Sequence, residues 1–178
     1  MVPWCRCGEI LSWTRRVKTR PAIGALLIRL FIDADACPVK DEVYRVADRY
    51  GYSVFVVANS RMNVPRNPRV ELKVVSGHFD AADDWIVEQV TPTDVVITSD
   101  IPLASRVLAK EARALDPKGR VFSPDSIGDA LAAREFSAFL RDMGDLGGGP
   151  APFTARDRSK FLQSLDTVIQ SLLKSLRR

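Results

Sequence analysis

The apolar residues of this chain arrive in short, nearly unbroken runs rather than in alternation. Residues 28–32, 54–58 and 95–97 each read as an almost wholly apolar strand. A half-exposed strand alternates apolar with polar, whereas a continuous run needs cover on both faces. That is the condition of a mostly parallel sheet between two helical layers. The segments between the runs supply those layers. Val39, Val43, Val46 and Ala47 fall on one helical face, with Pro38 in the first turn and Gly51 just past the end. The chain therefore predicts a three-layer α/β/α domain.

The remaining elements follow from the same periods. A polar loop with Asn59, Asn63, Pro65, Asn67 and Pro68 separates a strand over 53–58 from a third strand over 70–75. A helix is expected over 81–90, a fourth strand over 94–99 and a helix over 102–115. A short strand over 120–122 and two short helices, over 126–134 and 135–142, come next. A Gly- and Pro-rich linker spans about 144–153. From Thr154, the residues Phe161, Leu165, Val168, Ile169, Leu172, Leu173 and Leu176 recur at helical spacing, and Thr154 with Asp157 resembles a capping box.

The net charge of +4 is misleading. Residues 1–29 hold six Arg and Lys against one Glu, so the rest of the chain is close to neutral and whole-chain charge does not argue for nucleic acid. Residues 1–27 show no consistent helix or strand period. Their basic cluster follows the first apolar residues, which is the wrong order for a secretory signal. They read as a poorly ordered extension to a domain over 28–178. No apolar run reaches membrane-spanning length. Three cysteines, with Cys5 and Cys7 one residue apart, make neither a disulfide framework nor a zinc half-site, so a reducing cytosol is the default compartment. A single histidine, His78, leaves a Ser-His-Asp triad or a histidine metal site hard to build.

In an open α/β sheet the ligand crevice lies at the carboxyl ends of the parallel strands. Acids gather there. Asp33 and Asp35 follow the first strand and point the same way in extended geometry. Asp80, Asp83 and Asp84 surround the start of a helix, and Asp100 follows the fourth strand. Converging carboxylates repel unless a cation is present, and hard oxygen ligands suit Mg²⁺ or Mn²⁺. Such an ion can activate water and clamp a phosphate. Each acid also has an ordinary explanation. Asp80 and Asp100 could cap helices, and Asp84 could be a solvated helix-face residue. The pair Asp33 and Asp35 exceeds what capping requires.

Cys37 reads as a small packing residue. Gly147–Gly149 lacks the residues of a phosphate-binding loop and reads as linker. Arg61 and Arg66 on one side, and Arg156 and Arg158 on the other, form local basic stretches able to hold a phosphate backbone of RNA or DNA.

The stretch FIDADACPVK at 31–40, AADDWI at 81–86, ITSDIPLA at 97–104 and GPAPFTARDRSKF at 149–161 together resemble the YaiI/YqxD family of uncharacterised bacterial proteins. Glu111 departs from the glycine expected there. The family in turn is similar to PIN-like and NYN nucleases. That likeness implies a PIN-like fold, with Asp33, Asp83 and Asp100 as metal ligands and Asp35 and Asp84 beside them. The resulting expectation is metal-dependent phosphodiester hydrolysis on RNA or DNA, with Asp33, Asp35, Asp83 and Asp100 catalytic. Two alternatives stay open. Asp33-x-Asp35 also resembles the first motif of haloacid-dehalogenase-type phosphatases, with Thr98 or Ser99 as the next. A non-catalytic RNA-binding or adaptor protein could keep the same fold.

Overall fold

The computed structural model describes residues 28–35, 37–77, 80–143 and 152–177. The expectations for the extension 1–27, for Cys5 and Cys7, for His78 and for most of the glycine-rich linker lie outside the described residues.

Six strands form one sheet in the order β3-β2-β1-β4-β5-β6. The strands are β1 (Arg29–Asp33), β2 (Ser53–Ala58), β3 (Val70–Val74), β4 (Val95–Ile97), β5 (Arg113–Leu115) and β6 (Val121–Phe122). The first five run parallel, and only β6 turns back antiparallel to β5. The unbroken apolar runs explain this. Leu30, Ile32, Val54, Val56, Val95 and Ile97 bury against one helical layer, while Phe31, Val57 and Val96 bury against the other. Each full burial of such a side chain contributes roughly 1.5–3 kcal/mol.

The first layer is α1 (Lys40–Tyr50) and α5 (Ala155–Ser175); the second is α2 (Ala81–Gln89), α3 (Ile101–Ala109) and α4 (Pro124–Asp142). Helix α1 starts two residues after Pro38, which lies in the preceding turn. Its end is as expected. Gly51 takes φ 76°, and its N–H donates to the Ala47 carbonyl at 2.7 Å. The Thr154–Asp157 capping box at the start of α5 is present in both directions. Phe161, Leu165, Val168, Ile169 and Leu172 form the buried face of α5, while Leu176 reaches solvent. Gly119 makes that docking possible. At φ +82°, a Cβ there would stand 2.8 Å from the Lys160 backbone.

Two expectations are corrected. The helix expected over 102–115 stops at Ala109, and its last residues are the separate strand β5. Glu111, at φ 62°, turns the chain out of the helix, after which Ala114 and Leu115 pair with Val96 and Ile97. The two helices expected over 126–142 are one continuous helix, α4. Nothing between Arg134 and Glu135 breaks it.

The β2–β3 connection is a crossover without a helix. It returns from the carboxyl end of β2 to the amino end of β3 beside α1, to which the Asn67 amide is pinned by donating to Asp48 at 2.8 Å. Among the described residues, no helix is long and apolar enough to cross a membrane.

Candidate functional site

The strand order reverses between β1 and β4, and the crevice that this topology leaves opens at their carboxyl ends. Ile32 pairs with Ile97, so the residues that leave the two strands side by side are Asp33 on one and Thr98, Ser99 and Asp100 on the other. Sequence separation is erased by this pairing.

Thr98, buried to 1% exposure, organises the junction. Its hydroxyl donates to Asp33 Oδ2 at 2.8 Å and accepts from the Asp100 backbone N–H at 2.9 Å. Burial raises the pKa of Asp33. The Thr98 hydrogen bond opposes that shift, and the charges of Asp35 and Asp100 add to it. Asp83 is raised to about 6, first by burial. Asp33, Asp100 and Asp80 add to the rise, and Arg106 opposes them. Asp33, Asp35, Asp83 and Asp100 thus share one electrostatic neighbourhood, drawn from β1, the loop after it, α2 and the start of α3.

The ordinary explanations for two of these acids fail. Asp80 and Asp100 occupy N-cap positions, yet neither side chain accepts a capping hydrogen bond. Among the described residues, Asp100 Oδ1 is instead buried with no hydrogen bond, and the Arg134 guanidinium lies 3.7 Å from it. Asp94, at the amino end of β4, shows the contrast. Its fully buried carboxylate accepts from the Arg29 backbone and guanidinium and from the Thr91 N–H and hydroxyl. Asp94 is saturated with donors, whereas Asp100 Oδ1 and, in α1, Glu42 Oε2 are not.

The other candidates are placed as follows. Asp35 is exposed, and Oδ2 accepts from the Asn59 amide at 3.0 Å. Asp84 pairs with Arg106 at 2.5 Å on the flank of the cluster. Arg158 donates to the buried Glu42 at 2.8 Å and lies over the Phe153 ring, so it ties α5 to α1. Arg156 and Arg66 are exposed, and Arg61 lines a cavity beside β3. Cys37 is buried, and its thiol is pushed up to about 11, as befits an inert packing residue.

Sequence reasoning missed Arg106, Arg134 and Asn59 at this site. The first two come from helices whose approach only the tertiary packing sets. Thr98 had a signal, a hydroxyl at the end of a buried strand two residues before an acid.

The donor set is all oxygen and suits a hard divalent cation. The orphaned Asp100 oxygen and the mutual repulsion of the acids fit such an ion. Among the described residues, no three His, Cys, Asp or Glu side chains already stand in a ligating arrangement.

Residues 31–171 match the profile described as "Uncharacterized BCR, YaiI/YqxD family". A UPF0178 protein of Caulobacter vibrioides is 56% identical over 144 residues, covering 81% of this chain and 94% of the relative. One from Rhodospirillum centenum is 55% identical over 150 residues, with 82% and 97% covered. One from Brucella suis is 52% identical over 149 residues, with 83% and 92% covered. No solved structure matches the chain significantly.

Proposed function

The chain belongs to the YaiI/YqxD family, whose description assigns no reaction, and from the site itself we propose that it is a divalent-metal-dependent nuclease hydrolysing phosphodiester bonds of RNA or DNA. The observation that carries this reading is the buried, donor-less oxygen of Asp100 within a cluster of repelling carboxylates at the β1/β4 switch point. Such a cluster is costly unless a cation completes it.

Asp33, Asp83 and Asp100 would hold Mg²⁺ or Mn²⁺, with Asp84 beside them. When bound, the ion supplies activation of water and neutralisation of charge on the phosphate. The chain's own residues do the rest. Thr98 fixes the Asp33 carboxylate and the Asp100 backbone in one geometry. Asp35, exposed and hydrogen-bonded by Asn59, would take a proton from the attacking water. Arg106 and Arg134 flank the acids where the negative charge of a phosphate would arrive. The PIN-like resemblance of the motifs supports the same assignment.

The test is a thermal melt with and without millimolar Mn²⁺, on wild type and Asp33→Asn, beside an assay on single-stranded RNA. The wild type should gain stability from Mn²⁺ by linkage, the variant should gain less, and the variant should lose cleavage. Identical Mn²⁺ responses would remove the metal site and leave the adaptor reading. Hydrolysis of a small phosphomonoester, with none of RNA, would instead favour the phosphatase.

A further inference from the structure

A cavity of about 590 Å³ opens at the carboxyl end of β3, lined by Arg61, Met62, Asn63, Leu72 and Val74. That volume lies within the range of small-molecule sites, roughly 300–1,000 Å³. Its position relative to the acid cluster follows from strand register. Asp33 pairs with Val57, and Ala58, the next residue, pairs with Val74. The cavity therefore lies at the same end of the sheet as the acids and two strands across, but on the α1 face, where Leu72 packs, whereas Asp33, in phase with Phe31, belongs to the α2 and α3 face. At about 4.8 Å per strand the backbones of β1 and β3 are roughly 10 Å apart, and the thickness of the sheet adds to the distance between cavity and acids. The loop that forms its far wall is tied to the cluster, because Asn59, two residues before Arg61, donates to Asp35 at 3.0 Å.

The lining has two chemical halves. Met62 and Leu72 are partly buried against the α1-side core, and Val74 stays 43% exposed at the mouth. These give an apolar wall on an edge strand, where exposed apolar surface is a liability unless it is used. Arg61 and Asn63 give the polar half. Arg61 is exposed and makes no ion pair among the described residues, while Glu71 and Lys73, on the alternate face of β3, pair with each other at 2.6 Å. The cavity thus presents one unneutralised guanidinium and one amide with both donor and acceptor capacity.

We propose that this cavity is a nucleotide subsite of the nuclease, reached by a strand that crosses the carboxyl ends of β1 and β2 from the acid cluster: Met62, Leu72 and Val74 receive an unstacked base, Asn63 meets its polar edge, and Arg61 holds a backbone phosphate of the same strand. The proposal rests on the nuclease reading above and adds where the chain grips its substrate. A base held in a cavity must leave its stack, so the site takes single-stranded or splayed nucleic acid and rejects intact duplex.

The experiment uses the full chain in EDTA, so that nothing turns over. Fluorescence anisotropy reads the binding of labelled ten-residue single-stranded RNA, single-stranded DNA and the matching duplex. Arg61→Ala should weaken single-strand binding roughly tenfold and lower the salt slope by about one. Val74→Asp, which places a negative charge at the exposed mouth, should weaken it at least as much. Lys174→Ala, at the far end of α5, should change nothing. Circular dichroism confirms folding of each variant. With Mn²⁺ restored, Arg61→Ala should raise KM, whereas Asp33→Asn loses cleavage altogether. If Asp33→Asn loses cleavage while Arg61→Ala and Val74→Asp bind single strands like the wild type, the cavity proposal is overturned and the nuclease stands. If no protein cleaves but Arg61→Ala and Val74→Asp still lose single-strand affinity, the cavity stands as a nucleic-acid site and the reaction falls.

Discussion

Replacing Asp83 by Asn removes one charge from the cluster while keeping the shape of the side chain. Burial, then Asp33, Asp100 and Asp80, lift the Asp83 carboxyl to about 6 from its ordinary 3.8. The ionised form is therefore less favourable in the folded chain than in the unfolded one. The contribution of the protonated acid to stability is full below about pH 3.8 and is lost as pH rises through about 6. Taken whole, that shift is worth about 3 kcal/mol. The carboxylate is only half-buried, and solvent screening reduces the figure to roughly 1 kcal/mol. For a domain of this size, ~1 kcal/mol moves the melting temperature by about 2–4 °C. Asp83→Asn should thus melt higher than the wild type by that amount at pH 8 in EDTA, and at the same temperature at about pH 3.5. Mn²⁺ at pH 8 should reverse the order. At a hundredfold excess over its dissociation constant an ion bound only to the folded state adds about 2.7 kcal/mol, and the variant has lost a ligand. Differential scanning calorimetry at the two pH values, with and without Mn²⁺, measures all of this. A difference between the proteins that is the same at both pH values would refute the argument, because it would mean that no raised acid stands behind it.

Thr98→Val should cost about 1–3 kcal/mol in a urea melt, since it strips a hydrogen bond from Asp33 and leaves the Asp100 N–H without its acceptor. Thr98→Ser should recover most of that loss. Arg158→Ala should cost a similar ~1–3 kcal/mol, because Glu42 is 3% exposed and would be left as a buried, unpaired carboxylate. Adding Glu42→Leu should restore much of the stability if that unpaired charge is the cause.

Elements with strong local signals were legible in the sequence. The apolar runs of β1, β2 and β4 needed cover on both faces, and that requirement alone implied a parallel sheet within three layers. Gly51 and the Thr154–Asp157 pair set helix ends by short-range hydrogen bonding, which neighbours along the chain suffice to determine. The gathering of acids at strand ends was visible for the same reason, since strand direction decides which end of the sheet a residue occupies. Strand β5 was not legible, although the two-residue β6 was. Strand β5 has only three residues, too few for a period, and it is a strand because β4 lies beside it. Tertiary packing also decided the state of each acid. Asp94 and Asp100 look alike in the sequence, as single acids at the ends of one apolar run. Arg29 and Thr91 reach the first and saturate it, whereas, among the described residues, the second has Arg134 at 3.7 Å and an oxygen without a hydrogen bond. Arg29 arrives because β1 pairs with β4, and Arg134 because α4 packs nearby, and residues that far apart in the chain carry no record of those meetings.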